Sequence, residues 1–170
     1  MKTIYWTKVE SKKGTCIIMA TDKGICWAST PGNSIEKGKL ILKKTMKAEE
    51  FIEDANFPIL KTAAKELKDY FSGKKIEFSG PFDLYGSDFQ KNVWKEMISI
   101  PCGKTKTYGE IAKIIGAPQS ARAVGAACRT NPVAIFVPCH RVVGSNGKLT
   151  GYAGGLPTKE WLLVLEQEEK

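Results

Sequence analysis

A cysteine stands directly before the only histidine of this chain, in the sequence Val-Pro-Cys-His-Arg-Val at 137–142. A base or a cation close to a thiol lowers its pKa from about 8.5 and raises the fraction present as thiolate, the nucleophilic form. With His140 and Arg141 beside it, Cys139 is the best nucleophile candidate in the sequence. The apolar run 133–137 predicts a short buried strand, which the proline ends just before the cysteine. Neighbouring side chains of a strand point to opposite sides, so His140 assists Cys139 only if the backbone turns or a water molecule bridges the two groups.

The Cys-His pair fits three interpretations: half of a metal site, a buried structural cysteine, or a catalytic nucleophile. Metal binding is disfavoured, because the chain has one histidine and no C-x-x-C spacing among its five cysteines. The odd number of cysteines also argues against a disulfide framework. A cysteine hydrolase would use the histidine as general base, but nothing in the sequence specifically indicates the oxyanion hole that such an enzyme needs. We therefore expect a reactive cysteine and no metal.

Positive charge dominates the composition. The 26 Lys and Arg residues outnumber the 18 Asp and Glu residues, and the net charge of +8 attracts polyanions such as nucleic acid. Many lysines lie in mixed-charge runs, so a basic soluble protein without a nucleic-acid partner is the alternative on charge alone. No apolar run approaches the roughly 18 residues of a membrane span, and the N-terminus lacks the pattern of a secretory signal. We expect a cytoplasmic or nucleoid-associated protein that has no membrane partner.

Two consecutive short helices are predicted upstream of the Cys-His pair. Thr107 and Glu110 form a capping box that opens the first helix, and Gly116 ends it. Ser120 is suited to cap the second helix, which ends before Pro132. Two short helices joined by a brief turn are the pattern of a helix-turn-helix.

The second of these helices carries two arginines on one face. Arg122 and Arg129 are seven residues apart, so they lie within about 20 degrees of each other around the helix. Small residues lie between them, Ala126 included, and these let the helix backbone approach another surface closely. A helix buried against a neighbour would show the same small residues, but the arginines favour contact with DNA.

The first half of the chain predicts a small sheet and one helix. Two apolar-rich runs near the N-terminus are separated by Asp-Lys-Gly at 22–24, which predicts a β-hairpin. The basic segment 36–47 shows no pattern that assigns it to an element. Apolar residues at helical spacing from Leu60 to Phe71 predict an amphipathic helix that ends at Gly73.

A change of pattern marks the boundary between two domains. The segment 76–87 combines a predicted short strand with proline and glycine, and it places the boundary near residue 84. Just after it, Ser87 and Gln90 form a capping box that opens another helix. The sequence therefore predicts an α/β domain at 1–84 and a mainly helical domain at 85–170.

The chain from about Phe89 to Glu166 strongly resembles the O6-alkylguanine-DNA alkyltransferases, also called methylated-DNA--protein-cysteine methyltransferases. The resemblance rests on three stretches, TYGEIAKIIGAPQSARAVGAACRTN, NPVAIFVPCHRVV and GYAGGLPTKEWLL. Pro-Cys-His-Arg-Val is a highly specific motif of that family. The first half is similar to the family only in length and in its outline of strands followed by a helix. The resemblance implies an N-terminal α/β domain with a ribonuclease-H-like sheet and a C-terminal domain with a helix-turn-helix.

The resemblance implies a single-use DNA repair reaction. Cys139 would take the alkyl group of O6-alkylguanine irreversibly, with no cofactor and no metal. A water molecule, His140 and Glu166 would relay the thiol proton, and the carboxylate would orient the imidazole. Tyr108 would help rotate the nucleotide and donate a proton or hydrogen bond to the departing guanine. Asn131 would brace the turn before the cysteine.

The resemblance also implies how DNA is held. The helix-turn-helix would bind the minor groove of double-stranded DNA, and the damaged base would be flipped out to reach the cysteine. Arg122 would enter the duplex and occupy the vacated place. We expect further DNA contacts at Tyr108, Ser120, Ala126 and Arg129, made by a protein that is a monomer in solution.

A glycine-rich loop would line the lesion pocket. Its predicted members are Tyr152, Ala153 and Gly154, together with Val142. Many family members carry serine where Ala153 stands, so a side-chain hydroxyl is lost while the backbone amide remains a donor. One alternative is a module that recognises alkylated guanine without transferring the alkyl group. Alkyltransferase-like proteins of that kind lack the acceptor cysteine, which is present here.

Overall fold

The computed structural model describes residues 1–74 and 76–167, so Lys75 and the last three residues of the predicted second domain lie outside the described residues. The chain forms two units. The first contains Met1–Tyr85 together with Pro132–Ala134, and the second contains Gly86–Asn131 and the chain from Ile135 onward. The first unit is therefore discontinuous in sequence, whereas the sequence pattern predicted one boundary.

A four-stranded sheet forms the centre of the first unit. Strand β2 (Gly14–Ala20) pairs antiparallel with both β1 (Lys2–Ser11) and β3 (Ile25–Ala28), and β4 (Ala48–Glu53) pairs in parallel with β1. The strand order across the sheet is β3-β2-β1-β4. The predicted hairpin is confirmed, since β2 and β3 flank the turn at 22–24. Buried apolar side chains build the core on one face, including Ile4, Ile17, Met19, Trp27, Leu42 and Met46.

Two helices belong to the first unit. The basic segment without a predicted element forms α1 (Ile35–Met46), whose N-cap Ser34 accepts a hydrogen bond from the Glu36 amide. Gly38 of this helix is required by packing, because a Cβ there would lie 2.6 Å from the Trp27 ring. The predicted amphipathic helix is confirmed as α2 (Pro58–Phe71).

The short strand predicted within 76–87 is wrong. Phe82 forms an isolated bridge with Ile25, and the described residues around it do not join the sheet as a strand. The Asp83 amide donates to the Ile25 carbonyl and the Ile25 amide donates to the Pro81 carbonyl. This segment therefore lies along the edge of β3 with too few consecutive backbone hydrogen bonds to form a strand.

The second unit is mainly helical. Its helices are α3 (Asp88–Ile98), α4 (Tyr108–Ile114), α5 (Ala121–Arg129) and α6 (Leu156–Gln167), and strand β5 (Lys106–Thr107) pairs in parallel with β6 (Val142–Val143). Both predicted capping boxes are present, one opening α3 and one opening α4. Ser120 occupies the N-cap position of α5, but its side chain makes no capping hydrogen bond, so that detail of the prediction is wrong. In residues 1–74 and 76–167, no helix combines the length and the apolar composition needed to cross a bilayer.

The apolar run 133–137 does not form the predicted strand. Ile135 has φ of +71°, in the left-handed region, and the backbone turns there. Ile135, Phe136 and Val137 are nevertheless at most 3% exposed. Burial around an irregular turn therefore accounts for the apolar composition that suggested a strand.

Candidate functional site

The reactive-cysteine motif folds as a tight turn. Cys139–Arg141 form a 3-10 helix, in which the Arg141 amide donates to the Pro138 carbonyl at 3.0 Å. The Cys139 amide donates to the Val137 carbonyl at 2.9 Å. The backbone thus turns where the sequence required a turn or a water bridge for His140 to assist the cysteine. The Cys139 side chain is buried, with 7% exposure.

A hydrogen-bonded pair joins His140 to the C-terminal helix. His140 Nε2 lies 2.6 Å from the Glu166 Oε1 atom of α6, and both side chains are buried. Burial lowers the pKa of His140, which favours the neutral imidazole. Neutral imidazole is the form that can accept a proton. The structure therefore brings together the predicted base and the predicted carboxylate.

The same carboxylate is held by an arginine whose role sequence reasoning did not identify. Arg141 donates to both carboxylate oxygens of Glu166, from Nε at 3.0 Å and from Nη2 at 2.8 Å. Its Nη1 donates to the Ile100 carbonyl at 2.7 Å. Burial would raise the pKa of the Glu166 carboxyl, but the hydrogen bonds and charges of His140 and Arg141 lower it to about 2. The carboxylate is therefore ionised at neutral pH.

The thiol of Cys139 differs from the sequence-based expectation. Burial raises its pKa, and the opposing effects of the Asn131 side chain and the Lys159 charge do not overcome burial. The prediction that its surroundings lower this pKa is wrong, because burial penalises the thiolate. Asn131 also donates from Nδ2 to the Val137 carbonyl at 2.7 Å, so it lies against the turn that it was predicted to brace. The resting thiol is protonated and needs a base before it can react.

A narrow crevice leads to the cysteine. It is lined by Cys128, Arg129, Cys139, Gly151, Tyr152 and Ala153. Tyr152 and Ala153 were predicted there, whereas Gly154 and Val142 are not among the lining residues. Val142 is buried in β6, next to the turn of the cysteine. No sequence signal indicated Cys128, which contacts Met97 in the core.

A wider groove of about 580 Å³ lies beside the crevice. Arg122 and Arg129 of α5 both line it, which confirms that the two arginines share a face. Arg129 and Gly151 line both the groove and the crevice, so the two cavities are adjacent. Ala126 is exposed and Ser120 is partly buried, but neither is among the residues lining the groove.

Tyr108 lies in the groove at the start of α4. Its hydroxyl donates to the Thr150 carbonyl at 3.4 Å, and the Thr150 hydroxyl donates to Tyr108 Oη at 3.3 Å. Burial raises the pKa of the Tyr108 phenol, so the hydroxyl keeps its proton and stays a donor. Gly125 of α5 lies beside this ring, and a Cβ there would be 3.9 Å from it, an ordinary van der Waals distance.

Lys159 is a further buried group that sequence reasoning missed. It lies on α6 and is fully buried, although its position in the sequence looks like that of an ordinary helix lysine. Its Nζ donates to the Val142 carbonyl at 2.6 Å and to the Thr150 carbonyl at 2.9 Å. Among the residues that the structure describes, no group of three or more His, Cys, Asp or Glu side chains is arranged to hold a metal ion.

Comparison with known proteins gives matches over most of the chain. A family model described as "6-O-methylguanine DNA methyltransferase, DNA binding domain" matches residues 88–168, and one described as "6-O-methylguanine DNA methyltransferase, ribonuclease-like domain" matches residues 4–84. The methylated-DNA--protein-cysteine methyltransferase of Methanosarcina acetivorans is 43% identical over 163 residues, which cover 96% of this chain and 98% of that protein. The protein of the same name from Mycobacterium tuberculosis H37Rv is 56% identical over 105 residues, which cover 62% of this chain and 64% of that protein.

Solved structures show the same two-domain architecture. The crystal structure of Mycobacterium tuberculosis O6-methylguanine methyltransferase matches with a TM-score of 0.81 and 38% identity, covering 96% of this chain and 93% of that one. The crystal structure of Mycobacterium tuberculosis OGT in complex with DNA matches with a TM-score of 0.79 and 38% identity, covering 96% of this chain and 92% of that one. An N-terminal α/β domain followed by a helical C-terminal domain is therefore the architecture of this chain and of these relatives.

Proposed function

The chain belongs to the 6-O-methylguanine DNA methyltransferase family, and from this we propose that it repairs DNA by taking the alkyl group of O6-alkylguanine onto its own Cys139. One observation carries the assignment of the acceptor. Beside the buried cysteine, the imidazole of His140 is held at 2.6 Å by the ionised carboxylate of Glu166. A nucleophile followed by a base, with a third group orienting the base, is the arrangement of activated nucleophiles.

Transfer begins with removal of the thiol proton. Burial keeps Cys139 protonated at rest, and the neutral imidazole of His140 accepts the proton through one water molecule. Glu166 then stabilises the imidazolium, as a buried carboxylate does for a catalytic histidine. The charge of Glu166 is already balanced by Arg141, so the group formed by His140, Glu166 and Arg141 is neutral before the proton moves.

The chemical step is a direct displacement at carbon. The thiolate sulfur of Cys139 attacks the alkyl carbon, the S–C bond forms as the C–O6 bond breaks, and the bonding electron pair leaves with the guanine. The guanine anion takes up one proton, for which the Tyr108 hydroxyl is the donor. The proton that His140 took from the thiol then passes through water to the Tyr108 phenolate, so the reaction neither gains nor loses a proton. The product is S-alkylcysteine, a stable thioether, so each protein molecule acts once.

DNA binding is assigned to the groove formed by α4 and α5. These two short helices act as a helix-turn-helix in the minor groove, and Arg122 enters the duplex to replace the flipped nucleotide. The exposed position of Arg122 in the groove supports this role. Flipping is needed because the O6 atom of a stacked guanine is out of reach of a thiol that is 7% exposed. The groove is next to the crevice, which gives the flipped base a short route to Cys139.

The crevice has to widen to receive a purine. It is too narrow for a purine ring, and the loop at 151–153 forms its outer wall. Gly151 is exposed and has φ of +21°, an unusual conformation that glycine adopts at low cost. We propose that the crevice opens at this loop. We further propose that the first unit has a ribonuclease-H-like fold and that the protein acts as a monomer.

Mass spectrometry of the protein after reaction with a methylated duplex tests this function. The duplex carries one O6-methylguanine, and intact and peptide masses are recorded as the ratio of duplex to protein increases. We expect one added methyl group per protein, on the peptide that contains Cys139. Cys102→Ser, which removes a thiol outside the crevice, serves as the matched control and should be methylated like the unchanged protein.

Two outcomes would overturn the proposal. An unmodified Cys139 with demonstrated binding to the damaged duplex would make the protein a recognition module. Repeated release of methyl groups beyond one per protein would require a turnover step and would contradict the stable thioether.

A further inference from the structure

Helix α1 carries a large share of the positive charge of the chain. The basic segment 36–47 contains five lysines and one acidic residue, Glu36, so its net charge is +4 against +8 for the whole chain. The other residues of Met1–Tyr85 contain ten basic and ten acidic side chains and carry no net charge. The excess positive charge of this part of the chain therefore lies on one helix, and alkyl transfer gives that helix no role.

The charge lies on the side of α1 that faces solvent. Gly38, Leu42 and Met46 are buried on the opposite side, towards the sheet. At about 100 degrees per residue, Lys37 and Lys44 lie within about 20 degrees of each other around the helix. Four exposed lysines make up what we call the lysine face: Lys37, Lys43, Lys44 and Lys47.

Acidic side chains do not neutralise the lysine face by direct pairing. In residues 1–74 and 76–167, the ion pair made by this helix joins its fifth lysine, Lys39, to Glu36 at 3.7 Å. The exposed Glu49 and Glu53 of β4 form no salt bridge with the described lysines of α1. Glu50 of the same strand accepts a hydrogen bond from Thr3. The four lysines therefore present their charge to solvent.

Helix stability accounts for only part of this arrangement. Cations near the C-terminus of a helix interact favourably with its dipole, which explains Lys43 and Lys44 in the last turn. Lys37 lies in the first turn, where a positive charge is unfavourable. Like charges three or four positions apart also repel, as Lys43 and Lys47 do. A bound polyanion would relieve both costs.

Duplex DNA is the polyanion that fits the lysine face. The chain belongs to a family of DNA methyltransferases, so DNA is the polyanion that it meets. Duplex DNA carries one negative charge per about 1.7 Å of axis, and lysines bind it by neutralising phosphates and releasing counterions. Lys37 and Lys44 are separated by roughly 10 Å along the helix, so two long side chains can reach different phosphates of one duplex.

A membrane surface fits the lysine face less well. Helices that lie on membranes insert an apolar side that is rich in Leu, Phe or Trp. The apolar side of α1 is already used, because Leu42 and Met46 pack in the core. Leu40, which is 71% exposed, is a single apolar side chain among the lysines. Charge without an available apolar side favours a nucleic acid.

We propose that the lysine face of α1 is a second DNA-binding surface, which contacts the phosphates of duplex DNA without reading its sequence. Phosphate contacts carry no direct sequence information, so this surface adds affinity for damaged and undamaged DNA alike. It acts separately from the alkyl transfer at Cys139 and gives the first unit a function of its own.

The test compares two pairs of lysines that have the same spacing. Lys37→Gln with Lys44→Gln removes two charges from the lysine face, whereas Lys37→Arg with Lys44→Arg keeps them. The control is Lys61→Gln with Lys68→Gln, at two exposed positions seven residues apart on α2 of the same unit. The control changes the net charge equally and so corrects for long-range attraction. Folding of each variant is checked by circular dichroism and thermal unfolding.

The first measurement is the Kd for an undamaged duplex, determined by fluorescence anisotropy between roughly 50 and 200 mM salt. Each phosphate contact contributes about 0.9 to the slope of log affinity against log salt concentration. We expect the glutamine pair on α1 to lower this slope by about 1.8 and to weaken binding by at least about tenfold near 100 mM salt. The arginine pair and the control should keep the slope within about 0.5 of the original.

The second measurement needs no variant. Lysines of the unchanged protein are acetylated with an N-hydroxysuccinimide ester, with and without the undamaged duplex, and peptide mass spectrometry follows each site. The duplex should slow the acetylation of Lys37 and Lys44 and leave the rates at Lys61 and Lys68 unchanged. If the glutamine pair on α1 does not fold, this comparison decides the same point.

Three outcomes would overturn the inference. The first is an unchanged salt slope for the glutamine pair on α1, or a slope lowered equally by the control. The second is acetylation of Lys37 and Lys44 at the same rate with and without DNA. The third is flotation of the protein with anionic phosphatidylglycerol vesicles that this pair abolishes while the salt slope stays the same, which would assign the face to membranes. A failure of alkyl transfer leaves these measurements valid, because the duplex carries no lesion.

Discussion

Replacing Glu166 by glutamine should cost the second unit a large share of its stability. The carboxyl has a pKa of about 2 in the folded chain against 4.5 in the reference state. By linkage, a difference of this size corresponds to about 3 kcal/mol of stability at neutral pH. Removing one partner of a buried ion pair costs about 3–5 kcal/mol by an independent rule, so the two values agree.

The direction of the pH dependence follows from the lowered pKa. A carboxyl that ionises more readily in the folded state stabilises the protein above the unfolded pKa, and this contribution is lost as the pH falls through the folded pKa. The difference in stability between the unchanged protein and Glu166→Gln should therefore be full at pH 7 and should shrink as the pH falls from 4.5 towards about 2. The lowered pKa of His140 also makes the folded state less stable as the pH falls. The unfolded state binds the imidazole proton at a higher pH than the folded state does, so acid stabilises the unfolded state.

Hydrogen exchange followed by mass spectrometry measures this change in the second unit alone. Peptides from α3 and α6 report its opening free energy, and peptides from β1 and β2 of the first unit serve as an internal reference. Glu160→Gln makes the same substitution at an exposed position of α6 and should change the opening free energy by less than about 0.5 kcal/mol. A loss below about 1 kcal/mol for Glu166→Gln, or a loss that stays constant between pH 7 and pH 3, would refute the pairing described for this carboxylate.

Three further predictions concern DNA and the reaction. Cys139→Ala should abolish methyl transfer, measured by mass spectrometry, while its Kd for a damaged duplex, measured by fluorescence anisotropy, stays within about threefold of the original because the groove is unchanged. Loss of both transfer and binding would contradict the separation of the two sites. Arg122→Ala should slow single-turnover repair of a duplex by about tenfold or more while barely changing the reaction with a free O6-alkylguanine base, which needs no flipping; equal slowing with both substrates would argue against its insertion into DNA. The Kd for duplex should rise about tenfold between roughly 50 and 200 mM salt if only two phosphates are contacted, and an affinity independent of salt would exclude the basic groove as the binding surface.

Local sequence rules predicted the helices around the site well. The capping boxes that open α3 and α4 need only residues three positions apart, and both are formed. The strand predicted at 133–137 failed because its apolar residues are buried around a left-handed turn at Ile135, and composition reports burial without backbone direction. The unassigned segment 36–47 became α1, whose buried face is set by contacts with the sheet.

The site shows a similar division between local and distant information. Cys139 and His140 were found because they are adjacent in the sequence, whereas Glu166 was identified only through the family resemblance, since it lies 26 positions after the histidine. Nothing in the sequence of α6 distinguishes the buried Lys159 from a surface lysine. The prediction that the pKa of Cys139 is lowered was also wrong, because burial of the thiol raises this pKa and depends on the complete fold.

The discontinuity of the first unit has a consequence for biosynthesis. Val133 bridges to Ala28, and Pro132–Ala134 belong with the sheet formed by the N-terminal residues. A ribosome therefore has to synthesise α3, α4 and α5 before the first unit receives its last segment. Truncation after Tyr85 would release a fragment without that segment, and a gene fusion or a split version of the protein divided there would inherit an unfinished sheet edge.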